Sequence, residues 1–185
     1  PYAIAKISGL MLCESYNRQY GTNFISCMPT NLYGPYDNFD LMNSHVFPAL
    51  IRKFTEAKTR GDKDVVLWGS GAPRREFLHV DDLADASLFL MNTYEGSETV
   101  NIGWGSDVSI LELANLIKRS VGYEGNLIFD SSYPDGTMQK LLDVSKIRTL
   151  GWEPAIHLEE GISEVVQWYR EHIEQAQIYN DAGEK

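Results

Sequence analysis

Tyr2 and Lys6 stand four residues apart at the start of the chain. If that stretch is helical, both side chains project from one face and the ammonium can lie beside the phenol. A free tyrosine has a pKa of about 10, and a neighbouring cation favours the phenolate, so such a pair can exchange a proton with a substrate oxygen. On spacing alone the pair is a weak motif, because Tyr-x-x-x-Lys arises readily by chance. The run Pro29-Thr30-Asn31-Leu32 follows a short apolar segment and reads as a loop at the end of a strand, where α/β folds place ligands. A plain turn is the bland reading of the same residues. No metal-ligand spacing links the four histidines, and an isolated His45 is on its own more often structural than functional.

These residues need elements to position them, and the apolar periodicity supplies candidates. Ile4, Ile7, Leu10, Met11 and Tyr16 mark an amphipathic helix from residue 2 to about 20 that ends near Gly21. Phe24 to Met28, closed by Pro29, reads as a buried strand, and Asn31 to Asn43 as the loop after it. A helix is expected over Val46 to Lys58, with Ala49, Leu50 and Phe54 on its apolar face. Strands are expected at Val65–Trp68, Phe77–Val80, Val100–Ile102 and Leu127–Phe129. Asp81 is the expected N-cap of a helix from Leu83 to Met91. Ser109 and Glu112 form the pattern of a capping box for a helix through Val121. Leu158 to Ile173 reads as a terminal helix that buries Ile162, Val165, Val166 and Tyr169. Alternating strands and helices define an α/β class with some parallel sheet.

The 185 residues carry a formal net charge of −10, with 43% hydrophobic side chains. That is the composition of a globular protein with one real core. A strongly negative chain lacks the long-range positive field that nucleic acid or an anionic membrane surface requires. An anionic small ligand would need a few arginines or lysines placed locally. Two cysteines without paired spacing, Cys13 and Cys27, fit a reducing compartment, so the cytoplasm is expected. There is no apolar run of membrane-spanning length and no signal peptide pattern. The chain opens Pro1-Tyr2-Ala3 directly in a helical pattern, which suggests a piece of a longer polypeptide.

Several strings in series resemble the extended short-chain dehydrogenase/reductase family. They are Tyr2-Ala3-Ile4-Ala5-Lys6, Arg18-Gln19-Tyr20-Gly21, Met28 to Pro35, Arg75-Glu76-Phe77-Leu78-His79-Val80-Asp81-Asp82, and Val100-Asn101-Ile102-Gly103. Asn38-Phe39-Asp40, Asn43-Ser44-His45-Val46, Pro134-Asp135-Gly136-Thr137 and Lys140-Leu141-Leu142-Asp143 resemble the branch that epimerises and reduces GDP-linked keto-deoxy-hexoses. The resemblance spans nearly all of residues 1 to 175. It implies Tyr2 as the acid at the C4 oxygen, Lys6 as the cation that assists it and holds the nicotinamide ribose, and His45 as an epimerisation acid that also borders the cofactor. It implies Pro29, Thr30, Asn31 and Leu32 on the nicotinamide side of an NADP site. It also implies Arg75 on the pyrophosphate, with Lys53, Trp68, Asp135 and Lys140 as further nucleotide-sugar contacts. No metal is implied. The serine partner and the epimerisation cysteine of the family fall upstream of Tyr2, and neither Cys13 nor Cys27 matches that cysteine.

Two departures stand out. Thr137-Met138-Gln139 replaces a Pro-Arg that commonly precedes the lysine, which removes a candidate phosphate contact. Gly69-Ser70-Gly71 and Gly103-Trp104-Gly105 both lack the third glycine of a dinucleotide fingerprint. The resemblance therefore implies that residues 1–30 and about 76–103 close a Rossmann-type domain. It gives residues about 31–75 and 104–175 to a nucleotide-sugar domain and leaves 176–185 as a tail. A homodimer through the first helix is implied for the full-length form, and no turnover is expected from these residues alone. Two rival readings are another NAD-dependent sugar-nucleotide epimerase or dehydratase, and a non-catalytic nucleotide-sugar binding or dimerisation module.

Overall fold

The computed structural model describes residues 1–172, so the expected tail and the last residue of the expected terminal helix, Ile173, lie outside the described residues. Helix α1 (Tyr2–Tyr20) stops where Gly21 turns left-handed at φ 65° and donates its N–H to the Asn17 carbonyl. No residue of α1 is buried, and Ile4, Ile7 and Met11, expected on a packed face, are exposed. Strand β1 (Cys27–Pro29) starts three residues later than the apolar run suggested, with Phe24 left exposed. The expected loop begins with a strand instead: β2 (Asn31–Tyr33) pairs in parallel with β5 (Phe77–His79).

Helix α2 (Val46–Arg60) buries Phe47, Leu50, Ile51, Phe54 and Ala57, the spacing of one helical face, and ends at left-handed Gly61. Strand β3 (Asp64–Trp68) pairs in parallel with β8 (Asn126–Asp130) over five residues, Val65 and Leu67 facing inward. The two-residue strand β4 (Arg74–Arg75) lies between β7 (Val108–Ser109), antiparallel to it, and β9 (Gln139–Lys140), parallel to it. None of these three was evident in the sequence, since two residues carry no period.

Helix α3 (Val80–Thr93) corrects the expected cap. His79 is the N-cap, its Nδ1 accepting the Asp81 N–H at 3.3 Å, and Asp81 sits inside the first turn. Strand β6 (Val100–Ile102) pairs in parallel with β1. Helix α4 (Ile110–Val121) carries the expected capping box: Ser109 Oγ accepts the Glu112 N–H, and Glu112 accepts the Ser109 N–H. The short helix α5 (Ser145–Thr149) was not expected. Helix α6 (Leu158–Glu171) buries Ile162, Val165, Val166 and Tyr169 as expected.

Two apolar cores result. The larger packs α2, α4 and α6 against β3 and Tyr33, and the smaller joins α3, β6, Val144, Ile147 and Trp152. The parallel pairing of β2 with β5 runs between them, and several of the candidate site residues lie there. No helix among the described residues is long and apolar enough to cross a membrane.

Candidate active site

A cleft of about 790 Å³ opens where β1, β2 and β5 end. Tyr2, Pro29, Thr30, Asn31, Leu32, His45, Arg75 and Lys140 all border it. These side chains come from segments up to 138 positions apart, and parallel pairing is what brings them together. Tyr2 reaches the cleft from the first turn of α1 and is 77% exposed, with the Lys6 ammonium 5.4 Å from its ring centre. The cleft also holds Tyr33, whose phenol is buried against α6. Burial first, then the carboxylates Asp82, Glu164 and Glu160, push its pKa well above the ordinary tyrosine value. Tyr33 therefore stays a neutral phenol, and Tyr2 is the tyrosine open to solvent beside a cation.

His45 sits at the N-cap position of α2 without capping it through its side chain. Asp37 borders the same cleft. Burial raises its pKa, while its bond from the Asn38 amide and the proximity of His45 pull the other way.

Thr30 and Asn31 are partly committed: Asn31 Nδ2 donates to the Glu76 carbonyl at 2.8 Å and Thr30 Oγ1 to the same oxygen at 3.3 Å. Arg75 and Lys140 face each other in register on β4 and β9, which places two cations side by side at the cleft. Paired cations of this kind suit a phosphate group, and a guanidinium adds the geometry for two parallel hydrogen bonds.

Arg74 points elsewhere. Its Nε meets Asp107 Oδ1 at 2.6 Å and its Nη1 meets Glu112 at 3.3 Å, so it serves as a structural anchor. Gln139, which stands where the resemblance expects a phosphate-binding arginine, donates to Asp107 Oδ2 at 2.6 Å.

The remaining expected contacts form a second group outside the cleft lining. Trp68, 56% exposed and thus not core, stacks on Tyr133 with ring centres 4.5 Å apart, and the Lys53 ammonium lies 5.5 Å from the indole. Burial lowers the Lys53 pKa. Asp135 accepts from the Ser70 N–H and hydroxyl, and those bonds hold its carboxyl below the usual range. Sequence reasoning missed Tyr133, Asp37 and the buried polar trio Glu76, His79 and Asp82. The only signal for the trio was polar residues set among apolar ones from Glu76 to Asp82, which is unusual in a buried segment unless they are partnered.

The fold and this cleft define the class: the chain belongs to the NAD dependent epimerase/dehydratase family, whose family model matches residues 1–103. Among relatives, it is 58% identical over 172 residues to the probable GDP-L-fucose synthase 1 of Oryza sativa subsp. japonica, covering 93% of this chain and 52% of the relative. It is 54% identical over 181 residues to the GDP-L-fucose synthase of Escherichia coli (strain K12), covering 93% and 56%. A solved GDP-L-fucose synthetase from Naegleria fowleri bound to NADP superposes with a TM-score of 0.89 at 35% identity, covering 95% of this chain and 57% of that one. The chain spans about half the length of the curated relatives it matches.

Proposed function

We propose that this chain is the part of an NADP-dependent GDP-sugar epimerase-reductase, of the GDP-L-fucose synthase type, that carries the acid tyrosine and the substrate site. The observation that carries the reading is the cleft itself, which collects Tyr2, His45, Arg75 and Lys140 around one space. Relatives named GDP-L-fucose synthase, matching at more than half identity, support the substrate class. The smaller core would close the dinucleotide domain and the larger would form the nucleotide-sugar domain. The exposed apolar side chains of α1 support a homodimer of the full-length form through that helix. The free thiols Cys13 and Cys27 support the cytoplasm.

The nicotinamide end of NADP fits the residues present, because the link from β1 to β2 opens beside Tyr2 at the C-terminal end of a parallel strand pair. Pro29 to Leu32 and Lys6 would hold it there, and when bound it supplies the hydride delivered to C4 of the keto sugar. Tyr2 donates its phenolic proton to the C4 oxygen, so the ketone becomes an alcohol, and the Lys6 cation stabilises the phenolate left behind. His45 borders the same space and would reprotonate, from one face, the enolate formed when the epimerisation cysteine expected upstream of Tyr2 removes the ring-carbon proton from the other. Arg75 and Lys140 hold the diphosphate, with Trp68, Lys53 and Asp135 toward the nucleoside.

The test is Tyr2→Phe in the full-length protein with GDP-4-keto-6-deoxy-D-mannose. NADPH oxidation should fall by about 10²- to 10⁴-fold, with GDP affinity unchanged. Full turnover by the variant would remove Tyr2 from the chemistry. Turnover by the wild type of a UDP-sugar, and not the GDP-sugar, would overturn the substrate class. The 185 residues alone should consume no NADPH.

A further inference from the structure

We propose that Glu76 is the positioning residue that fixes Arg75 and Lys140 in the cleft, an inference that rests on the reading of that pair as the diphosphate site. Glu76 is fully buried between Arg75 and Phe77, and every one of its acceptors is used. Its Oε1 accepts the Gly105 N–H at 2.6 Å and its Oε2 the Leu142 N–H at 3.1 Å. Its carbonyl takes the side chains of Thr30 and Asn31. One residue thus ties together the link from β1 to β2, the turn after β6 and the segment that follows β9.

The Leu142 bond matters most. Residues 131–141 are exposed throughout, and β9 is only two residues long, so little burial holds Lys140 opposite Arg75. The Glu76 carboxylate supplies a buried anchor two residues beyond Lys140. Gly103 leaves room for it, since a side-chain carbon there would collide with Glu76 Oε1. Hydrogen bonds from backbone amides to a carboxylate are charge-assisted and short, which suits a group that must define a position rather than merely fill a core.

Glu76→Gln keeps the shape and loses one acceptor, leaving an amide NH2 facing a backbone N–H. In the full-length protein it should weaken GDP binding about tenfold, the equivalent of about 1.4 kcal/mol. The KM for NADPH should stay within about twofold, because Thr30 and Asn31 bond to the Glu76 carbonyl, which the substitution spares. Backbone hydrogen exchange at Gly105 and Leu142 should quicken.

Asp82→Asn is the control. Asp82 is likewise buried and accepts two backbone amides, those of Ala155 and Ile156, but is not part of the cleft lining and touches neither Arg75 nor Lys140 through these bonds. It should lower stability comparably and leave GDP affinity unchanged. Equal loss of GDP affinity in both variants, or unchanged exchange at Gly105 and Leu142 in Glu76→Gln, overturns the proposal. If the wild type does not bind GDP while exchange at those amides still quickens in Glu76→Gln, the substrate reading falls and the positioning role is supported. Should Glu76→Gln fail to accumulate, Glu76→Asp, too short to reach both amides, carries the same comparison.

Discussion

Replacing Gly71 and Gly61 by alanine, one at a time, separates two costs that usually come mixed. Both glycines are left-handed, at φ 76° and φ 72°. A side chain in that region costs about 1–2 kcal/mol, and the stiffer unfolded chain returns about 0.4–1 kcal/mol. Gly61, the C-cap of α2, has nothing within 4 Å of the position an alanine carbon would take, so Gly61→Ala should cost about 1 kcal/mol. At Gly71 the same carbon would lie 2.5 Å from Phe129 Cε1 and 2.8 Å from its Cζ. Phe129 packs against the larger core and cannot swing freely away. Overpacking of that kind adds about 1–3 kcal/mol, so Gly71→Ala should cost about 2–4 kcal/mol in all. The strain also reaches the site, because the Gly71 and Pro73 carbonyls accept the first amides of α4 just before Arg74 and Arg75. Urea unfolding of both variants, followed by far-ultraviolet circular dichroism, reads the difference directly if the slopes match the wild type. Equal costs within about 0.5 kcal/mol would show that the Phe129 ring yields, and the packing argument would fail.

Two carboxylates should respond to pH with opposite sign. Burial raises the folded-state pKa of Asp37, so below the unfolded value of about 3.9 it carries no penalty, and stability is lost as pH rises through the folded value. Asp37→Asn should therefore raise the urea midpoint at pH 7 and match the wild type near pH 3; a lower midpoint at pH 7 would refute the desolvation argument. Asp107 is the reverse, because Gln139 and Arg74 hold its pKa down. Its contribution is present above the unfolded value and lost as pH falls through the folded one. Asp107→Asn should lower the midpoint at pH 7, with the gap closing in acid, and a pH-independent gap would assign the loss to shape instead of charge.

The long elements were legible because their burial leaves a period. Helix α2 buries a face three and four residues apart, and the Ser109–Glu112 box announced α4. What stayed hidden depends on partners far away in the chain. Strands β4, β7 and β9 exist only because each pairs with another. The cap of α3 was assigned to Asp81 on side-chain preference, but His79 already offers a ring nitrogen at the turn, so Asp81 is left exposed. The cleft residues were legible as a set through family motifs, whereas Asp37 and Tyr133 belong to surroundings that only the fold assembles.

The run Arg74-Arg75-Glu76-Phe77 shows why a chain of net charge −10 can still present a cationic site. Successive side chains in an extended segment point to opposite sides. Arg75 and Phe77 therefore face the cleft, while Arg74 and Glu76 face the loop between β6 and β7. On that second side each charge is consumed, Arg74 by Asp107 and Glu112, Glu76 by the amides of Gly105 and Leu142. On the cleft side Arg75 is joined by Lys140 in register. A shift of one residue in this strand would exchange the two faces and bury Arg75 among groups that match Arg74. The sign of the site is thus set by register rather than composition, and the ion pairs of Arg74 together with the buried bonds of Glu76 are what make that register costly to lose.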